Sequence, residues 1–157
     1  MHYPPPPVPG IRTRPWTLWY PLELRWMERG VMVLSGGLLV TLLAVAWWLQ
    51  PDPSGLGTHH QLGLPPCSFR LFLGMRCPAC GMTTSWAHVV RGQLFSALRA
   101  NSGGTLLALA AAFVGPWLLT SGLRGKWLVR PPNEYVVLAV GGVLLLVIVT
   151  DWLLRVQ

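Results

Sequence analysis

The chain has 157 residues, 52% of them hydrophobic and only 11% charged, with a formal net charge of +7 and a mean hydropathy of +0.48. It is too apolar and too poor in charge for an ordinary soluble domain. Its basic residues flank apolar runs instead of forming a stripe interleaved with aromatics, so the positive charge reads as membrane topology and no nucleic-acid partner is expected.

In chain order, residues 1–15 hold the proline run of MHYPPPPVPG, which favours extended polyproline II and predicts a disordered tail. No basic end leads into an apolar core there, so no cleavable signal peptide is expected. Residues 16–157 are expected to form a single helical membrane domain. Between Ile11 and Gly30, Trp16, Trp19, Tyr20 and Trp26 mix with Arg12, Arg14, Arg25 and Arg29. That mixture suits the headgroup level of a bilayer and predicts an interfacial helix. Val31–Leu49 is the first predicted span, with Ser35, Gly36, Gly37, Thr41 and Ala44 offering a small-residue surface. The second runs over 103–119, with Gly104, Ala108 and Ala112 spaced for close packing and a kink expected at Gly115-Pro116. The third covers 135–154 and carries one charge, Asp151, near its end. The fold class is therefore all-α, an integral membrane protein of about three transmembrane helices whose partner is the lipid bilayer. The small-residue seams suit other membrane helices or a homo-oligomer.

Seven of the twelve Lys and Arg residues lie in the N-terminal segment and the loop after the second span; the other five are spread over the long loop and the C-terminal end. This bias predicts a cytoplasmic N-terminus in a cell (inner) membrane. The long loop of residues 62–102 then lies on the exoplasmic face, where a disulfide can persist.

That loop holds all three cysteines and the stretch Arg76-Cys77-Pro78-Ala79-Cys80-Gly81-Met82-Thr83. Two cysteines separated by two residues can place both sulfurs on one metal ion or close a redox-active disulfide. Pro78 stiffens the turn, and Gly81 can adopt a backbone conformation closed to other residues. A helix starting at Met82 aims its positive end back at the sulfurs, which favours thiolates. Thr84, Ser85 and His88 fall on one face of that helix and Met82, Trp86, Val89 and Val90 on another, predicting an amphipathic helix against the membrane. Asn101 or Ser102 is placed to cap the second span.

The order Pro66-Cys67, Gly74, Cys77-Pro78-Ala79-Cys80-Gly81-Met82-Thr83, Gly92, Ala97, Asn101 resembles a family of small bacterial membrane proteins, the domain-of-unknown-function 2752 family, whose signature is C-P-x-C-G-[LM]-T. The likeness runs from about Leu64 to Ser102 and into the following helix. It implies a multi-span membrane protein with a cysteine motif ahead of a helix and implies no activity. The chain departs from the family pattern at Thr84, Gln93 and Ser102, where relatives carry arginine, aspartate and proline, and it matches the pattern at Cys67, Cys77 and Cys80.

Three functions fit the residues. In the first, Cys67, Cys77 and Cys80 bind a metal, zinc by preference because it favours four sulfur or nitrogen ligands, or form a structural disulfide. His59, His60 or a water are then the candidates for a fourth ligand. His88 is a poorer one, since eight helical residues separate it from Cys80 by about 12 Å. In the second, Cys77 attacks and Cys80 resolves, as in a membrane thiol-disulfide oxidoreductase. In the third, the chain is an accessory subunit whose cysteine loop shapes a docking surface. Pro78, Gly81 and Thr83 support the motif in each case. Asp151 either reaches the site, as an oxygen ligand or through Arg76, or pairs with Arg155 one helical turn on.

Overall fold

The computed structural model describes residues 23–156, the side chain of Arg70 aside. The elements are α1 (Trp26–Trp48), a 3-10 turn (Thr58–Leu62), α2 (Ser68–Leu73), α3 (Met82–Val89), α4 (Leu94–Ala100), α5 (Ser102–Arg124) and α6 (Glu134–Val156). Among the described residues the only β feature is a bridge between Glu23 and Lys126. α1, α5 and α6 each have 23 residues and are long and apolar enough to cross a membrane, at about 34 Å apiece. The expected tail over 1–15 and Trp16, Trp19 and Tyr20 of the expected interfacial helix lie outside the described residues.

Two boundaries differ from the sequence expectation. Trp26–Gly30 are not a separate interfacial helix; they are the opening turns of α1. A charged residue one turn from a span's end can reach the headgroups, so Glu28 and Arg29 need not end the apolar helix. α5 also runs through Pro116 as far as Arg124. Within a bilayer the backbone finds few partners outside the helix, so the ladder resumes after the one N–H that proline lacks.

α1 and α5 form the tight pair. A Cβ on Gly36 would strike the backbone of Leu119 and lie 2.9 Å from the Gly115 oxygen, and one on Gly122 would lie 3.0 Å from the Val33 nitrogen. Buried positions on α5 include Gly104, Ala108, Ala111, Gly115 and Gly122. The buried stripe thus alternates steps of four and three, as 3.6 residues per turn require, and Ala112, expected on this seam, is exposed. On α1, Gly36 is buried while Thr41 and Ala44 are exposed. Side chains fasten both ends of the pair. Arg29 donates to the carbonyls of Gly122 (3.3 Å) and Leu123 (3.4 Å). At the opposite end Arg91 donates to those of Ala46 (3.2 Å) and Trp47 (2.6 Å), satisfying the last turn of α1.

The loop between α1 and α5 forms a small layer at one end of this pair, and its interior combines small polar residues with Cys80, Ala87, Ala97 and Ala100. Thr58, Thr84, Ser85 and Asn101 are all buried, and Thr58 Oγ1 lies 2.8 Å from Thr84 Oγ1. α3 turns Thr84 and Ser85 inward together with Ala87, and Met82 of its expected membrane face packs against Gly104 of α5. The large apolar residues of α2 and α4 point outward: Leu71 and Phe72 of α2 and Phe95 of α4 are exposed, as expected of short helices at a lipid surface. α6 has no buried residue. Its Ile148 lies against Gly103, and its last turns reach the segment that carries the cysteines.

Candidate metal centre

The motif is shaped first by its backbone. Gly81, with φ +84, is the N-cap of α3. A side chain there would be strained, and its Cβ would lie 2.5 Å from the Ala100 oxygen and 3.0 Å from that of Gly55. The Cys77–Cys80 turn closes with the Cys80 N–H donating to the Cys77 carbonyl at 3.0 Å.

Asn101 locks that turn onto α5. Its Oδ1 accepts from the Gly104 N–H at 2.7 Å, as an N-cap, while its Nδ2 donates to the carbonyls of Pro78 and Cys80, both at 3.1 Å. One amide thus starts a transmembrane helix and fixes the cysteine turn above it. α6 supplies a second clamp. Arg155 donates from NH1 to the carbonyls of Cys80 and Ala100, both at 3.1 Å, and pairs through NH2 with Asp151. Trp152 Nε1 donates to the Arg76 carbonyl at 2.7 Å.

With its backbone held on both sides, the turn gathers three sulfurs. Cys77 Sγ lies 3.0 Å from Cys80 Sγ and 3.5 Å from Cys67 Sγ, and all three fall within 4.8 Å of one another. Four thiolates at about 2.3 Å from a tetrahedral zinc stand about 3.8 Å apart, so one ion fits this trio with small adjustments. No disulfide links any two of them. The Cys77 N–H donates to Cys80 Sγ at 3.2 Å.

The expected stabilisation of thiolates by the α3 terminus does not decide the balance. The Cys77 thiol is pushed up to about 12, first by burial and then by its hydrogen bonds to the Cys80 and Cys67 thiols, with the Ala79 N–H pulling weakly the other way. Without a cation Cys77 therefore keeps its proton, and a dication is the partner that makes its thiolate favourable.

The sulfurs open into a cleft of about 270 Å³ whose lining includes His59, His60, Leu64, Thr83 and Thr84. The structure thus brings Cys67, Cys77, Cys80, Gly81, Thr83, His59 and His60 around one space, with Pro78 and Asn101 supporting it from behind. His88 is elsewhere, its Nδ1 lying 2.6 Å from Gln93 Oε1. Asp151 touches the motif only through Arg155. Sequence reasoning missed Trp152 and Arg155 as clamps of the cysteine turn. The available signal was a cation one turn after a carboxylate at a span's end.

Residues 67–115 match the model of a family described as "Protein of unknown function (DUF2752)". The matched segment begins at the first cysteine and ends in the middle of α5, so it contains the cysteine turn, its Asn101 clamp and the seam only as far as Gly115, without Gly122. The resemblance read from C-P-A-C-G-M-T thus rests on the segment that builds the site, while the Arg155 clamp lies outside it. No curated protein and no solved structure matches the chain.

Proposed function

We propose that this membrane protein binds a zinc-like divalent ion through Cys67, Cys77 and Cys80 on the exoplasmic face of a bacterial inner membrane. The ion fastens the long loop to the ends of α5 and α6. The convergence of three sulfurs within 4.8 Å, from two separate pieces of chain, carries this reading. The raised Cys77 thiol also weighs against an attacking cysteine, which needs a depressed one. The test is a metal analysis and thiol count on purified protein. One zinc per chain with three thiols shielded from alkylation until a chelator is added supports the site, and each of Cys67→Ser, Cys77→Ser and Cys80→Ser lowers the zinc.

A second reading rests on the 3.0 Å approach of Cys77 and Cys80. In an oxidising compartment that pair closes as a structural disulfide and leaves Cys67 outside it. The same thiol count separates the two, because two thiols released only by reductant, with no metal, indicate the disulfide. The exposed Gly141 and Gly142 of α6, with nothing within 4 Å of a Cβ at either, fit the accessory role in which α6 meets another membrane helix.

A further inference from the structure

We propose that His60 supplies the fourth ligand of this centre, so that the ion is held by three thiolates and one imidazole Nε2. The inference rests on the metal reading above and assigns the position that three cysteines leave open.

Four observations converge on His60. It lines the same cleft as Cys67, Cys77 and Cys80. Its Nδ1 lies 3.1 Å from the Leu64 carbonyl oxygen. A carbonyl only accepts, so this bond requires the proton on Nδ1 and leaves the lone pair of the neutral ring on Nε2. Histidines that bind metals commonly hold their other N–H on such an acceptor, which fixes both tautomer and ring orientation. The acceptor stands three residues before Cys67, so one hydrogen bond ties the ring to the strand of chain that carries the first thiol. Finally, Gly57, also on the cleft, makes room for the ring: a Cβ there would lie 2.9 Å from His60 Cδ2 and 3.5 Å from Nε2.

The 3-10 turn that carries His60 is suited to closing over an ion. It is bounded by Gly57 and Gly63, both with positive φ, and anchored at its buried start by the contact of Thr58 with Thr84. His60, by contrast, is exposed. Bringing its ring onto the sulfurs moves the outer half of the turn and leaves the buried half in place. His59 is the natural control. It is adjacent and lines the same cleft, with its ring centroid 4.4 Å from that of His60.

The experiment is cobalt(II) titration of the full-length protein in detergent, following the visible ligand-field and thiolate charge-transfer bands, with zinc retention against a chelator as a second measure. Wild-type protein is expected to give a tetrahedral spectrum with three thiolates. His60→Ala is expected to shift the ligand-field bands and weaken retention about tenfold or more. His59→Ala should stay within about twofold of wild type. His60→Cys should recover retention and add the intensity of a fourth thiolate, a rescue that a merely structural role for His60 does not produce. Unchanged bands and retention in His60→Ala, or the same loss in His59→Ala, overturn the assignment of His60 while leaving the cysteine site intact. Absence of thiolate-bound cobalt in the wild-type protein overturns the metal reading and this assignment together.

Discussion

α1 and α5 meet backbone to backbone through Gly36, Gly115 and Gly122, whereas α6 lays Ile148 on Gly103 and fastens its last turns through the side chains of Trp152 and Arg155. The first contact depends on the absence of side chains and the second on their presence. Spans with no hydrophobic force between them associate either by close packing of small residues or by polar contacts. Here the two modes fall on different helices. The tight pair is a scaffold, and α6 reports on the cysteine turn because its fixed end grips the carbonyl of Cys80.

Substitutions can separate the two modes. The largest effect is expected for Gly36→Leu, which drives a side chain into the α5 backbone and should cost roughly 3 kcal/mol, measured by denaturant titration in micelles. A loss no greater than that of an exposed substitution on α6 would contradict the seam. Next, Gly81→Ala combines a strained φ with collision against the Ala100 carbonyl, for about 2 kcal/mol or more. Its damage should stay in the loop, with thiols more reactive and metal lost while a crosslink between α1 and α5 still forms. Arg155→Gln leaves Asp151 without its cation and the Cys80 and Ala100 carbonyls without a charged donor, for about 2 kcal/mol. Asp151→Asn should do less, since it keeps the Arg155 donors. If Asp151→Asn instead lowers metal retention more than Arg155→Gln, the carboxylate acts at the site directly.

Titration of the metal-free protein tests the cysteine turn without a substitution. The Cys77 thiol is raised from 9.0 to about 12 in the fold. Its contribution is complete below pH 9 and is lost as pH rises towards 12, because the unfolded chain releases that proton first. Stability that rises across this alkaline range, or an equal slope in Cys77→Ser, would rule out this origin. The smallest change is expected for Gly141→Leu on the open side of α6, within about 0.5 kcal/mol for the monomer. A drop in oligomer size with that variant would identify a second helix on this face.

The three spans were legible because uncharged apolar runs of that length have few alternatives in water or lipid. Their faces were harder to read. Gly36 falls on the α1–α5 seam, whereas Gly104 faces Met82 and Ser85 of α3 and Thr41, Ala44 and Ala112 are exposed; on α5 the spacing by four drifts off a helix of 3.6 residues per turn within two turns. The cysteine turn and its glycine stood out through unusual residues at fixed spacing, and Asn101 could be read as a cap. Its second task, clamping Pro78 and Cys80, depends on contacts between distant pieces of chain that no local pattern encodes. The Arg155 clamp is hidden for the same reason. From the sequence, Arg155 pairs with Asp151, and only the packing of α6 shows its remaining donors turned towards the loop.

The reach of Arg155 to the Cys80 carbonyl spans 75 positions of sequence, and this has a consequence for biosynthesis. A ribosome adds roughly 5 to 20 residues per second, so the cysteines are made roughly 4 to 15 s before the cation that clamps their turn. Asn101 follows Cys80 by 21 positions, so for most of that interval the turn has that clamp alone while α6 has yet to be inserted. Oxidation of the thiols is easiest then, and a nascent chain held at that point should be more open to thiol reagents than the finished protein.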